Sequence, residues 1–466
     1  MTGRFAGRVV TVAGFGSSGR AAAAVLLEEG ATVRVTEARH LQEISAPPVD
    51  PEGIPGPDEL DVELLTGGHR PEHLDGASLL VVSPGIPEHA LVIQWAHRRG
   101  IPVWSELELG ARLCRAPYVA VTGTNGKTTT VDLLASMMRS AGLSARACGN
   151  VGYPFCLAAR QGLDALAVEA SSFQLRFHSS FHPRVSVLLN LAPDHLDWHR
   201  SFRAYASAKA RIFARQGTGD VHVGNRDDAE AAVISSTAPC PVRWFGWGRS
   251  RPGEVEIVDG SLAVRLDDNG ARSDLGAPAA PGRTLLLDAA AAATAALAFG
   301  IPPDAIRSGL SMFVPLPHRG ALVAQKGAVT FVDDSKATNP HAALAALEGR
   351  SGVVLIAGGL AKGVDLSPLA AAAPSLAAVV AIGESAPVVA AVFEGLTPVR
   401  MARSIEEAVE VAYREARPDG AVVLAPACAS QDMFRDYRER GARFAAAARE
   451  LAARGEPIYQ SGRSHA

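Results

Sequence analysis

Short runs of Val, Ile, Leu and Ala recur along the chain, and three of them pass through a glycine-rich or polar turn straight into a helical pattern. They are VVTVAGFGSSG from Val9, YVAVTGTNGKTTT from Tyr118 and VVLIAGGLAKG from Val353. A strand that is apolar along its whole length is covered on both faces, so this rhythm predicts parallel strands alternating with helices. Two further apolar runs end at acidic residues: Ala165 to Val168 precedes Glu169, and Val329 to Val332 leads to Asp334. Carboxylates so placed are expected at the C-terminal edges of strands, where ligands of open α/β sheets collect. Ala289 to Phe299 is mostly alanine and well short of the ~20 residues that cross a bilayer, so a packed helix is expected there. Composition shifts near Glu106 to Arg115 and near Pro315 to His318 divide the chain into three α/β domains, residues 1–108, 109–315 and 316–466. Ser45 to Pro57 and Asp267 to Gly282 are expected to be surface loops.

Composition narrows the function. At 466 residues the chain has ample material for several cores, and its net charge of −3 gives no field that would recruit nucleic acid or an anionic membrane. Any anionic ligand must be held locally. The five cysteines are scattered, with no CxxC pair, which suits a reducing compartment and buried, unreactive thiols. Val9 to Val12 runs into glycines rather than into a cleavage site, so no export signal is read and a cytoplasmic location is expected.

The sharpest local signal is Thr122-Gly123-Thr124-Asn125-Gly126-Lys127-Thr128-Thr129, lying between an expected strand and a helix starting near Lys127. Glycines let backbone N–H groups close on phosphate oxygens, and the helix N-terminus adds positive potential. Lys127 reaches the outer phosphates and Thr128 offers an oxygen to Mg²⁺. Val121 stands where a full Walker A pattern has its first glycine, so the competing reading is a capped α/β turn. In the first domain Gly14-Phe15-Gly16-Ser17-Ser18-Gly19, with Glu37 further on, would by itself read as a dinucleotide fingerprint and an NAD-dependent oxidoreductase. The later ATP loop and the want of a hydride-transfer constellation weigh against that reading.

GTNGKTTT resembles the ATP loop of the Mur ligases and their folylpolyglutamate synthetase relatives. Further segments follow in the family's order: Gly149-Asn150-Val151-Gly152, Glu169-Ala170-Ser171-Ser172-Phe173-Gln174-Leu175, Asn190-Leu191-Ala192-Pro193-Asp194-His195-Leu196-Asp197, Ser207-Ala208-Lys209, Leu316-Pro317-His318-Arg319, Asp334-Ser335-Lys336-Ala337-Thr338-Asn339 and Ala425-Pro426-Ala427-Cys428-Ala429-Ser430. The last two are similar to the glutamate-adding branch. The resemblance implies a Rossmann-like N-terminal domain, a central P-loop ATPase-type α/β domain and a Rossmann-like C-terminal domain. It implies ATP-dependent joining of glutamate, D-glutamate foremost, to UDP-N-acetylmuramoyl-L-alanine through an acyl phosphate, in cytoplasmic peptidoglycan precursor synthesis. The cofactors would be ATP and two Mg²⁺ ions, and the partners small-molecule substrates, with no nucleic acid, no membrane insertion and a monomeric chain.

By the same resemblance, Gly123 to Thr129 with Arg319 and Asp334 would bind ATP, while Thr128, Glu169, His195 and a carbamylated Lys209 would hold the metals. Lys127, Glu169, His195, Lys209 and Lys336 would carry the chemistry. Ser17, Ser18, Glu37, Ser83, Gly85, Asn150 and His195 would contact the UDP substrate, with Arg39 near the uridine. Thr338, Lys362, Ser430 and Tyr437 would take the glutamate. Two features depart from the pattern: Glu37-Ala38 stands where Asp-Thr is common, and Thr284-Leu285-Leu286-Leu287-Asp288 replaces a His-Asn-x-x-Asn stretch that contributes to adenine binding. The alternatives are a paralogue using L-glutamate or another acceptor, an oxidoreductase, and a non-enzymatic regulator.

Overall fold

The computed structural model describes residues 3–44, 53–248, 250–279, 282–416 and 419–454. Most of the loop expected from Ser45 therefore lies outside the described residues. The described residues form three sheets within two compact units, Met1–Pro193 with Trp198–Val314, and Asp194–Asp197 with Pro315–Ala466. The α/β reading with three sheet-bearing regions is borne out.

The first sheet comprises β1 (Val9–Ala13), β2 (Thr32–Thr36), β3 (Glu63–Leu65), β4 (Leu79–Val82) and β5 (Val103–Ser105), ordered 3-2-1-4-5 and parallel throughout. The order reverses beside β1, and there the chain turns through Gly14 to Gly16 into the helix Ser17–Glu28. That helix buries an unbroken alanine face, Ala21 to Ala24, which lets it lie close on the sheet.

The second sheet contains β6 (Tyr118–Thr122), β7 (Ala145–Gly149), β8 (Ala165–Glu169), β9 (Val185–Leu188), β10 (Val221–Asn225), β11 (Val242–Trp247), β12 (Val255–Val258), β13 (Ser261–Arg265) and β14 (Arg272–Gly276). Its order is 14-13-12-11-10-9-6-8-7, with only the β12–β13 and β13–β14 pairs antiparallel. The expected loop Asp267 to Gly282 thus contains β14. Its sequence is polar because the strand lies at the sheet's edge and turns only Leu275 fully into the core. Ala289 to Phe299 does lie in a packed helix, Arg283–Phe299, whose alanines meet the helix Lys127–Ser140.

The third sheet holds β15 (Ala321–Lys326), β16 (Val329–Asp333), β17 (Val353–Gly358), β18 (Leu376–Ile382), β19 (Val399–Met401) and β20 (Ala421–Leu424), ordered 15-16-20-17-18-19. All pairs but β15–β16 are parallel. Four cysteines are buried as expected, whereas Cys114 is partly exposed. Among the described residues no helix is long and apolar enough to cross a membrane.

Candidate active site

The loop after β6 is tied down before it can hold anything. Thr124 N–H donates to Asn190 O at 2.9 Å, and Asn125 N–H to Asn190 Oδ1 at 2.8 Å. Asn190, just beyond β9, therefore clamps the loop from the neighbouring strand. Gly126 has φ = 85° and caps the helix Lys127–Ser140, a left-handed conformation that favours glycine. A Cβ at Gly126 would also collide with the buried carboxylate of Asp288. The substituted stretch from Thr284 thus ends against the phosphate loop itself. Lys127 Nζ arches back over the loop and donates to Gly123 O at 2.9 Å and Thr124 O at 2.8 Å. Thr129, on the same helix, is turned inward and buried.

Glu169 closes β8 next to β6, with 2% of its surface exposed. Thr128 Oγ1 donates to its Oε2 at 2.7 Å, and Asn150 Nδ2 to its Oε1 at 3.0 Å. The structure therefore brings Asn150 to the carboxylate expected to hold a metal. Lys209 is 2% exposed, donates to Gly123 O at 2.6 Å, and lies 4.6 Å from the Tyr205 ring centroid. Two ammonium groups thus converge on one loop carbonyl. Tyr205 OH is 3.0 Å from Thr124 Oγ1. Tyr205 does not stand out in the sequence, and Asn190 does so only as the first residue of a family segment. The i, i+4 spacing of Tyr205 and Lys209 on one helix is the available signal.

On the first sheet, Ser83 Oγ donates to Gly14 O at 3.1 Å, which joins the β1 and β4 turns. Ser17 and Ser18 open the following helix, and Gly85 is exposed beside Ser83. Glu37 Oε2 accepts from Phe15 N–H at 2.7 Å and from Arg39 Nη2 at 3.0 Å. Burial alone would raise the Glu37 carboxyl. The hydrogen bond from Arg39 and the N–H groups of Arg39 and Phe15 overcome that and hold its pKa at about 2. Glu37 thus braces the turn while orienting Arg39.

In the second unit, β16 and β20 end side by side. His318 Nδ1 is 2.6 Å from Asp333 Oδ2, and Lys336 Nζ is 4.0 Å from the Tyr437 ring centroid. Burial raises the Asp334 carboxyl to about 7, opposed by Arg319 and reinforced by neighbouring Asp333. Arg440 is buried and carries no signal in the sequence. It donates to Ser335 Oγ at 3.0 Å, Ser335 O at 2.9 Å, Cys428 O at 3.1 Å and Ala429 O at 3.3 Å. One guanidinium thereby fastens the Lys336–Thr338 turn to the loop carrying Ser430. Leu360 and Ala429 form an isolated bridge, which brings the Lys362 turn to that loop as well. Among the described residues, four of the six non-glycine residues with positive φ lie in these segments: His195 at 52°, His318 at 64°, Lys362 at 51° and Ala427 at 59°, the others being Arg200 and Asp259. Such conformations persist only where the surroundings impose them, and they cluster at functional sites.

A lysine-bearing glycine loop on one mostly parallel sheet and a second glycine turn at the switch point of another are the arrangement of nucleotide-dependent α/β enzymes. The comparisons with known proteins agree. Residues 8–105 match the Mur ligase MurD-like N-terminal domain, residues 121–257 the Mur ligase middle domain, and residues 318–428 the Mur ligase glutamate ligase domain. A UDP-N-acetylmuramoylalanine--D-glutamate ligase of Chlorobaculum tepidum is 40% identical over 96% of this chain and 98% of its own. The protein of that name from Frankia casuarinae is 42% identical over 96% and 94%. The fold is shared with a MurF ligase from Thermotoga maritima solved in complex with ADP, with a TM-score of 0.58, 17% identity and coverage of 96% and 97%. The chain belongs to the Mur ligase family.

Proposed function

We propose that this chain joins D-glutamate to the carboxyl group of UDP-N-acetylmuramoyl-L-alanine, converting ATP to ADP and phosphate. The observation that carries this reading is the near-full-length similarity to two ligases so named. The site residues fit the chemistry. Transfer of a phosphoryl group to a carboxylate gathers negative charge, and Lys127 lies at Gly123 O, where loop and helix N-terminus also favour anions.

The Thr128 hydroxyl and the Glu169 carboxylate, 2.7 Å apart, are the hard oxygen donors that Mg²⁺ takes. His195 and a carbamylated Lys209, with phosphate and water oxygens, would supply the other ligands. When bound, Mg²⁺ would offset the charge of the transferring group. Lys127 would exchange its loop carbonyls for phosphate oxygens, and Arg319 and Asp334 would meet the nucleotide. Ser17, Ser18, Ser83 and Gly85 would hold the UDP diphosphate, with Arg39 presented by Glu37. Thr338, Lys362, Ser430 and Tyr437 would hold the glutamate, and His195 and Lys336 would face the acyl phosphate. We assign residues 1–108, 109–315 and 316–466 to acceptor, ATP and glutamate domains of a cytoplasmic monomer.

The test is ADP formation with purified chain, Mg-ATP and UDP-N-acetylmuramoyl-L-alanine, with D-glutamate and L-glutamate in separate arms. ADP and phosphate formed only with D-glutamate support the proposal. AMP and pyrophosphate, or a preference for L-glutamate, overturn it.

A further inference from the structure

Behind Glu169 runs a buried polar chain that the proposed chemistry leaves unused. Glu106, the first residue of the helix Glu106–Leu113, is 1% exposed. Its Oε1 accepts from Cys156 N–H at 2.6 Å, and its Oε2 accepts from Gln174 Nε2 at 3.2 Å. Gln174, also 1% exposed, spends its Oε1 on Ser171, accepting from Ser171 N–H and Ser171 Oγ at 3.0 Å each. Ser171 in turn caps the short helix Ser172–Arg176 and stands two residues after Glu169. The neighbouring Ser172 Oγ lies 2.9 Å from His199 Nε2, and the His199 ring packs edge-on against Tyr205, the residue that reaches Thr124 in the phosphate loop.

We infer that Glu106 is a positioning residue. Acting through Gln174, it fixes the Ser171–Ser172 turn and so holds Ser172 against His199, whose ring packs on Tyr205 at the Thr124 side of the glycine loop. A carboxylate is required because both of its oxygens accept. Gln174 has no freedom to compensate, since turning its amide over would set an NH₂ group against Ser171 N–H. The orientation of Gln174 is therefore dictated from both ends, by Ser171 N–H and by Glu106. Ala170 is pinned independently, its N–H donating to Val121 O at 2.9 Å and its carbonyl accepting from Thr122 Oγ1 at 2.8 Å. Only the segment following it depends on the Glu106–Gln174 pair. The link to catalysis rests on the proposed role of the Gly123–Thr129 loop.

The pair can be tested by exchange. Glu106→Gln puts an amide donor opposite the Gln174 donor, and Gln174→Glu puts two carboxylates together. Glu106→Gln with Gln174→Glu restores one donor and one acceptor in reversed order, and the carboxylate introduced by Gln174→Glu would still accept from Ser171. In the full-length chain, each single variant should lose about tenfold or more in kcat, while KM for glutamate changes less than about twofold. The double variant should return to within about threefold of wild type, a coupling beyond additive behaviour. Amide hydrogen exchange gives a readout independent of turnover. Ser171 and Ser172 should exchange faster in both single variants and at the wild-type rate in the double. Wild-type kcat in the single variants, or a double variant no better than the worse single, would overturn the inference. If the wild-type chain makes no ADP with D-glutamate, the proposed function fails. The exchange rates then decide the inference alone, restored protection in the double variant supporting it and unchanged protection in the singles overturning it.

Discussion

The phosphate-loop region and the third-sheet region hold their candidate site residues by opposite means. Around Lys127 the hydrogen bonds come from strand ends and short side chains: Asn190 clamps the loop, and Thr128 and Asn150 converge on Glu169. Positive φ there is confined to glycines, Gly123 and Gly126. In the third-sheet region His318, Lys362 and Ala427 take left-handed conformations with side chains present, and the buried Arg440 holds two loops together. The first construction uses residues already suited to their shapes. The second stores local strain that distant packing must offset, so it should be the more sensitive to a single deletion outside the reacting groups.

The largest effect should come from the first region. Lys127→Ala should lower kcat by about a thousandfold or more, because charge stabilisation in phosphoryl transfer is lost, while calorimetric affinity for UDP-N-acetylmuramoyl-L-alanine stays within about twofold. Equal loss of both would mean that the loop and the first-sheet turn are not separate sites. Lys209→Ala should be about a hundredfold slower, and acetate should restore part of the rate if a carbamate oxygen normally stands at that position. Full activity of that variant, or of the wild-type chain after CO₂ removal with Lys209 shown unmodified, would rule the carbamate out.

Arg440→Met sharpens the contrast directly. It leaves Ser335, Cys428 and Ala429 oxygens without their donor, at a cost of about 3 kcal/mol in urea unfolding. KM for D-glutamate should rise about tenfold while ATP affinity is kept. Unchanged stability would show that the strained turns hold themselves.

The smallest effect is a pH dependence. Asp334 has a folded pKa of about 7, against about 3.9 for an unperturbed aspartate, so the folded state binds the extra proton between those values. The stability it contributes is present below about pH 4 and is lost as pH rises through 7. Asp334→Asn should therefore raise the melting temperature by about 2–4 °C at pH 8 and leave it nearly unchanged at pH 4. The reverse order would show that Arg319 keeps the carboxylate charged throughout.

Much of this was legible in sequence. Period and apolar runs located β6, β8, β16 and β17, because strands buried on both faces must be apolar along their length. The glycine loop declared its chemistry because left-handed backbone and close phosphate approach leave few other choices. Asp267 to Gly282 misled because an edge strand exposes most of its side chains and reads as a loop. Glu106, Tyr205 and Arg440 carry no local signature, since a hydrogen-bonded buried polar group looks in sequence like any surface one. The sequence by itself determined the α/β layering, the phosphate loop and the order of the family motifs, all set by local conformational preference and spacing. Only the tertiary structure decided that Asp288 lies against Gly126, that Asn150 reaches Glu169, and that Glu106 governs Gln174. Each of those joins residues far apart in the chain, and which buried donor meets which acceptor is fixed only once the sheets and helices have packed.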